Sequence, residues 1–295
     1  MAGVLVIGAT GYIGKAVAQA ARRDGYTVYA QTRSDSRAAS LSADELVPLV
    51  CDPTDASALR PTIAKCEFVI DCTADYEKPK AVPDACAEAI RACAQDLPGG
   101  SKKHYVYTSG CLVHGDNPAK VVTEDEMGSG GNLAWRLDME RSLLANTDFD
   151  CTVLRPAFVY GRSGGFFAKT LFQKPPDGSK LQVAGPTKRW SWVHVDDLAD
   201  AYVRMMGRRS LAAGRIYDLG EPFGPTYEEL RVAGARLAGF DGEVEHVKAE
   251  GFEAFMDMTA VVDSKRSHDE LGWRPRHTGV MAQLPLYYES YKASA

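Results

Sequence analysis

At 295 residues, 45% hydrophobic and 25% charged, the chain has the composition of a globular protein with room for a large core. Its formal net charge is -5 at pH 7 and no basic face is evident, which argues against nucleic acid as a partner. The longest apolar runs are strand-sized, too short to span a bilayer, so no membrane partner is expected.

The N-terminus runs directly into an apolar strand, Val4 to Ile7, with no basic n-region or cleavage site, so no signal peptide is expected. A helix from Gly14 to Asp24 follows, then strands at Thr27 to Gln31, Leu46 to Val50 and Phe68 to Cys72. A helix over about Pro83 to Ala94 precedes a strand at His104 to Ser109. A helix from about Asn132 to Leu144 leads to a strand at Cys151 to Leu154. Continuous apolar strands alternating with helices imply a doubly wound parallel α/β sheet, the Rossmann arrangement. Beyond Gly161, turn signals such as Gly164-Gly165, Pro175-Pro176 and Asp177-Gly178 mark a loop-rich stretch. A helix over Val195 to Met206, a strand at Arg215 to Leu219 and a capping box at Thr226 and Glu229 are expected after it. The expected division is a dinucleotide-binding domain over 1–160, also receiving segments around 190–220, and a smaller substrate lobe over 161–295.

Seven cysteines, none in a Cys-x-x-Cys or zinc-like spacing, read as buried reduced thiols of a cytoplasmic protein, with no metal site.

The turn Gly8-Ala9-Thr10-Gly11-Tyr12-Ile13-Gly14 ends the first strand and opens a helix. Gly8 permits a tight turn, Gly11 lets backbone approach a pyrophosphate, and Gly14 lets helix and strand pack closely. The second strand ends Gln31-Thr32-Arg33-Ser34, with a guanidinium where an NAD site would carry a carboxylate. Arg33 therefore points to NADP(H) and its 2′-phosphate. Asp52, after the third strand, is placed to accept from an adenine amino group; Asp52-Pro53 also fits a helix N-cap.

These motifs join Tyr107-Thr108-Ser109-Gly110, Arg155 to Gly161, His194 to Ala199 and Leu271 to Pro275 in one ordered set. The set resembles an extended short-chain dehydrogenase/reductase of the NAD-dependent epimerase/dehydratase type, over essentially the whole chain. The resemblance implies that Cys72, Thr73 and Ala74 lie along the cofactor. It implies that Thr108 and the backbone of Pro156, Ala157, Phe158 and Val159 flank the nicotinamide. It also implies that His194 to Asp197 brace the second lobe, and that a homodimer through the helices after the fourth and fifth strands is common.

That family works with Ser, Tyr and Lys. In their register this chain carries Trp135 and Met139, neither of which moves a proton. By spacing to Trp135 the serine falls on Gly110, one residue after Ser109; a local shift lets Ser109 serve. The chain is similar to an atypical subgroup with Tyr-Thr-Ser-Gly and Trp-Arg-x-x-x-Glu, here Trp135, Arg136 and Glu140. Arg136 and Glu140 share a helix face, either as a surface ion pair or with one of them taking the Lys role near the cofactor. The candidates for proton transfer are Ser109, Tyr160 and His114. Tyr160 also reads as a packed aromatic and His114 as an exposed loop residue. Trp190 and Trp192 read either as a substrate pocket or as lobe core.

The leading expectation is an NADP(H)-dependent oxidoreductase acting on a small or medium carbonyl, imine or activated alkene. The alternatives are a cofactor-binding lyase, isomerase or cyclase without net redox, and a non-catalytic NADP(H) sensor.

Overall fold

The computed structural model describes residues 2–94, 102–126, 128–250 and 257–294. Seven parallel strands form the central sheet, in the order β10-β6-β5-β4-β1-β2-β3. They are β1 (Gly3–Ile7), β2 (Thr27–Thr32), β3 (Val47–Val50), β4 (Phe68–Asp71), β5 (His104–Thr108), β6 (Asp150–Pro156) and β10 (Ile216–Leu219). The order reverses between β1 and β4, so their carboxyl ends open a crevice, where such sheets take ligands.

Alternate residues of each strand serve opposite faces, as the two-residue period requires. Val4 and Val6 join the core under α1 (Tyr12–Arg23) and α7 (Val195–Gly207). Leu5 and Ile7 face the core under α3 (Ala56–Ile63), α4 (Ala81–Ala94) and α5 (Ala134–Leu144). Helix α1 begins at Tyr12, two residues earlier than the apolar pattern indicates. The short α2 (Asp35–Ala43) lies between β2 and β3.

After β6 the chain leaves the sheet. β7 (Phe158–Tyr160) pairs in parallel with β9 (Trp192–His194), and β8 (Leu181–Ala184) with β11 (Val244–Val247). Around these strands pack α6 (Gly165–Leu171) and α9 (Tyr227–Leu237); α8 (Arg209–Ala212) lies just before β10. The capping box at Thr226 and Glu229 is formed. The stretch that reads as loop therefore holds a helix and two short strands. Trp190 and Trp192 are buried; Phe158 stacks on Trp190 with ring centroids 4.2 Å apart. They are lobe core.

The tail, with α10 (Lys265–Leu271) and α11 (Leu284–Ser294), folds back onto α7. Trp273 Nε1 donates to the Asp197 carbonyl at 2.7 Å. Asp197 Oδ2 accepts from the backbone N–H of Arg276 and of His277, each at 2.8 Å. His194 caps α7, its Nδ1 accepting from Asp196 N–H at 3.2 Å, and stacks on His277 at 3.9 Å. Among the described residues no helix is long and apolar enough to cross a membrane.

Candidate active site

The glycine turn is built for close approach. Gly8 has φ +75°, a conformation costly for a residue with a side chain. A Cβ on Gly14 would sit 2.2 Å from the Gly8 carbonyl oxygen. Gly11 opens α1 in an extended conformation with no side-chain cap, leaving the first N–H groups of the helix for an anion. Gln31 locks the turn: its Oε1 accepts from Gly8 N–H at 2.9 Å and its Nε2 donates to the Cys51 carbonyl at 2.8 Å. Tyr12 donates to the Gly161 carbonyl at 2.7 Å, tying α1 to the chain after β7. Thr10 and Ile13 are half-buried beside this turn. An uncapped helix end over a glycine cradle fits a dinucleotide pyrophosphate.

Arg33 is exposed at the end of β2 and makes no ion pair among the described residues. Asp52 is held below the usual carboxylate range first by the Thr54 N–H and hydroxyl, with the charge of Arg33 adding. Asp75 is lowered first by the N–H groups of Lys78 and Glu77, and Arg33 adds there too. The charge of Arg33 thus reaches the carboxylates after β3 and after β4. The N-cap of α3 is Asp55, not Asp52: its Oδ1 accepts from Ser57 and Ala58 N–H. Pro53 is buried and Asp52 exposed.

Along the end of β4, Cys72 and Thr73 are half-buried and Ala74 exposed. Thr73 donates N–H and hydroxyl to buried Asp71, whose other oxygen accepts from Tyr105 at 2.8 Å. Burial pushes the Cys72 thiol up to about 12, so it carries no thiolate at neutral pH. Thr108 Oγ1 lies 2.7 Å from the Tyr202 hydroxyl.

Ser109 is 8% exposed and its hydroxyl donates to Glu140. Glu140 is 1% exposed and is gripped by Arg155, Nη2 to Oε2 at 2.6 Å and Nε at 3.1 and 3.2 Å. Arg155 Nη1 lies 3.4 Å from His114 Nε2, which lies 2.8 Å from Asp218 Oδ2. The Asp218 N–H donates to Glu124 Oε1 at 2.9 Å, and burial pushes that carboxyl up to about 7, with the Asp218 charge adding. A continuous polar chain therefore runs inward from Ser109. The Ser109 proton is engaged by Glu140, which leaves its oxygen lone pairs as acceptors.

Several expectations are corrected. His114 lies in a 3-10 turn (Cys111–His114) and is 3% exposed, not on an exposed loop. Arg136 and Glu140 are both buried and have separate partners, so they are no surface pair. Met139 packs into the core with Tyr105 and Tyr107. The face of α5 turned to the crevice carries Trp135 and Arg136, with Arg136 Nη1 donating to the Thr108 carbonyl at 3.2 Å. Tyr160 donates to the His277 carbonyl at 2.9 Å and sits edge-on to Tyr287 and His194, apart from the Ser109 chain. The N–H groups of Ala157 and Phe158 are spent on Leu219 and Ser191 carbonyls, and the Phe158 ring lies in the core. Pro156 is buried at the end of β6 and Val159 is half-buried.

Gln31, Asp218 and Arg155 are the residues whose work the sequence hides. Each is a polar residue near the carboxyl end of a sheet strand, and that placement is the signal available for them.

A doubly wound sheet with a glycine cradle at its first turn defines a dinucleotide-binding Rossmann protein. Residues 8–205 match the family described as NAD(P)H-binding, and the chain belongs to that family. It is 27% identical over 295 residues to the uncharacterized protein C2A9.02 of Schizosaccharomyces pombe, covering 95% of this chain and 97% of that one. It is 26% identical over 246 residues to dTDP-4-dehydrorhamnose reductase of Mycolicibacterium smegmatis, covering 82% and 61%. The fold superimposes on UDP-glucose 4-epimerase with UDP-glucose from Thermotoga maritima with a TM-score of 0.76 at 18% identity, covering 99% of each chain. It is the fold of the epimerase-type short-chain dehydrogenases/reductases.

Proposed function

We propose that the protein is an NADP(H)-dependent oxidoreductase, reducing a small or medium carbonyl, imine or activated alkene without a Tyr/Lys relay. The observation that carries the reading is the position of Ser109. Its hydroxyl is fixed by the buried Glu140–Arg155 pair at the end of β5, beside the crevice floored by the glycine turn. When bound, a reduced nicotinamide supplies hydride. Gly8, Gly11 and Gly14 seat the pyrophosphate, and Arg33 takes the 2′-phosphate. Asp52 borders the adenine; Cys72, Thr73, Ala74 and Thr108 border the nicotinamide side, with Pro156 to Val159 behind them. Ser109 orients the reacting group through its lone pairs, which suits a substrate that presents an N–H, as a protonated imine does. Residues 161–295 supply most of the substrate lobe, and the reduced, mostly buried thiols fit a cytoplasmic protein.

Titration with NADPH, NADP, NADH and NAD, followed by an NADPH-oxidation screen over aldehydes, ketones, imines and enones, tests the reading. NADP(H)-selective binding with turnover that falls about 100-fold in Ser109→Ala supports it. Binding of none of the four overturns it.

A further inference from the structure

Arg136 is a buried cation whose charge reaches buried Asp71 without an ion pair to it. It is 6% exposed, and among the described residues it makes no ion pair. Its one hydrogen bond there joins Nη1 to the Thr108 carbonyl. The guanidinium carbon lies 4.8 Å from the Trp135 ring centroid and 5.8 Å from that of Tyr76. The two rings meet edge to face at 6.2 Å. Tyr76 remains 63% exposed, an unusual place for a large aromatic ring. Arg136 and Trp135 line the same small cavity as Thr73, together with Asp71, Asp75 and Lys78. Aromatic rings flank the guanidinium, and the bond to Thr108 uses only one of its five donors. What is left is the in-plane fork that a carboxylate fits. That bond also fixes the cation one residue before Ser109.

We propose that Arg136, with Trp135 and Tyr76, recognises a planar substrate that carries a carboxylate next to the group being reduced. The fork of Arg136 pairs the two carboxylate oxygens, and the rings stack on the planar body. This inference rests on the oxidoreductase reading above and specifies the substrate class of that site.

The test is calorimetric, on the full chain with and without NADP, using benzoylformate and its uncharged methyl ester as probes. Benzoylformate should bind about ten-fold or more tightly than the ester. Arg136→Gln should remove that preference while NADPH affinity stays within about two-fold, and Arg136→Lys should restore part of it. Tyr76→Ala, at an exposed position, should weaken acid and ester alike by several-fold. Equal binding of acid and ester by the unmodified protein overturns the proposal without any variant. A preference that survives Arg136→Gln overturns it as well. A loss of NADPH affinity in Arg136→Gln as large as the loss for benzoylformate assigns the cation to the cofactor's phosphates and also overturns it. If NADPH fails to bind while the carboxylate preference persists, the cofactor reading falls and the anion site stands.

Discussion

Arg155 and Glu140 meet inside the protein as a forked ion pair, with Arg155 Nη2 2.6 Å from Glu140 Oε2 and both side chains almost fully buried. The pair joins β6 to α5, and Glu140 accepts from the Ser109 hydroxyl just after β5. Its worth lies in completeness, since a lone buried charge is far more costly than a satisfied pair.

Glu140→Ala should therefore destabilise the fold by about 3–5 kcal/mol, because it strands the guanidinium. Adding Arg155→Met should recover part of that loss. Urea denaturation of the two single variants and the double variant measures the coupling. Losses that simply add would mean the pair is not a unit.

Gly14→Ala should weaken nucleotide binding. The added Cβ would lie 2.2 Å from the Gly8 carbonyl oxygen, so helix and turn must separate. NADPH affinity should fall by about ten-fold or more, with a lower melting temperature. Unchanged fluorescence titration would remove the turn from the site.

Arg33→Ala should weaken NADPH far more than NADH. A charge-assisted phosphate contact contributes about 1.5–3 kcal/mol, which is roughly ten- to a hundred-fold in affinity. Equal losses for the two cofactors would sink the assignment.

Tyr160→Phe should leave turnover intact and cost about 1 kcal/mol of stability, since the hydroxyl is engaged by the His277 carbonyl and by Tyr287. A drop in kcat with unchanged stability would return Tyr160 to the chemistry.

Stability should fall on acidification between about pH 6.5 and 4. Burial holds His104 and His194 down to about 4, with the charges of Arg209 and His277 respectively adding. The unfolded chain, with histidine near 6.5, binds those protons first, so each contribution is present above pH 6.5 and lost below it. Glu124 acts in the opposite sense: its carboxyl, raised to about 7, favours the folded state as pH falls through 7. Thr152 donates to the Ala212 carbonyl at 2.6 Å, so His104 donates from Nε2 and its Nδ1 is left without a partner. His104→Phe should flatten the acid side of a melting-temperature profile, and Glu124→Gln should steepen it. A His104→Phe profile parallel to the parent would refute the assignment.

The sheet and the cofactor turn were legible because buried parallel strands write their apolar runs continuously, and because Gly8 and Gly14 stand where a Cβ has no room. Asp55 displaced Asp52 as the cap because two residues three apart carry the same signal, and only backbone geometry separates them. The direction of α5 was harder to read. Its polar and apolar residues are not well segregated, so Met139 and Arg136 compete for the crevice until packing against Tyr105 and Tyr107 decides. Glu140 and Arg155 lie fifteen residues apart, and their meeting depends on the crossover from α5 into β6. No local pattern encodes Asp218 beneath His114, since 104 residues separate them.

The tail clamp on Asp197 has a consequence for synthesis. Helix α7 covers α1, the helix that begins at the glycine turn, and α7 is fastened by Trp273, Arg276 and His277. The seam between α1 and α7 thus gains its fastening only once residues 273–277 have been made. Contacts that span so much sequence are slow to close, and a chain stopped before residue 270 would expose the seam between the two helices to chaperones and proteases.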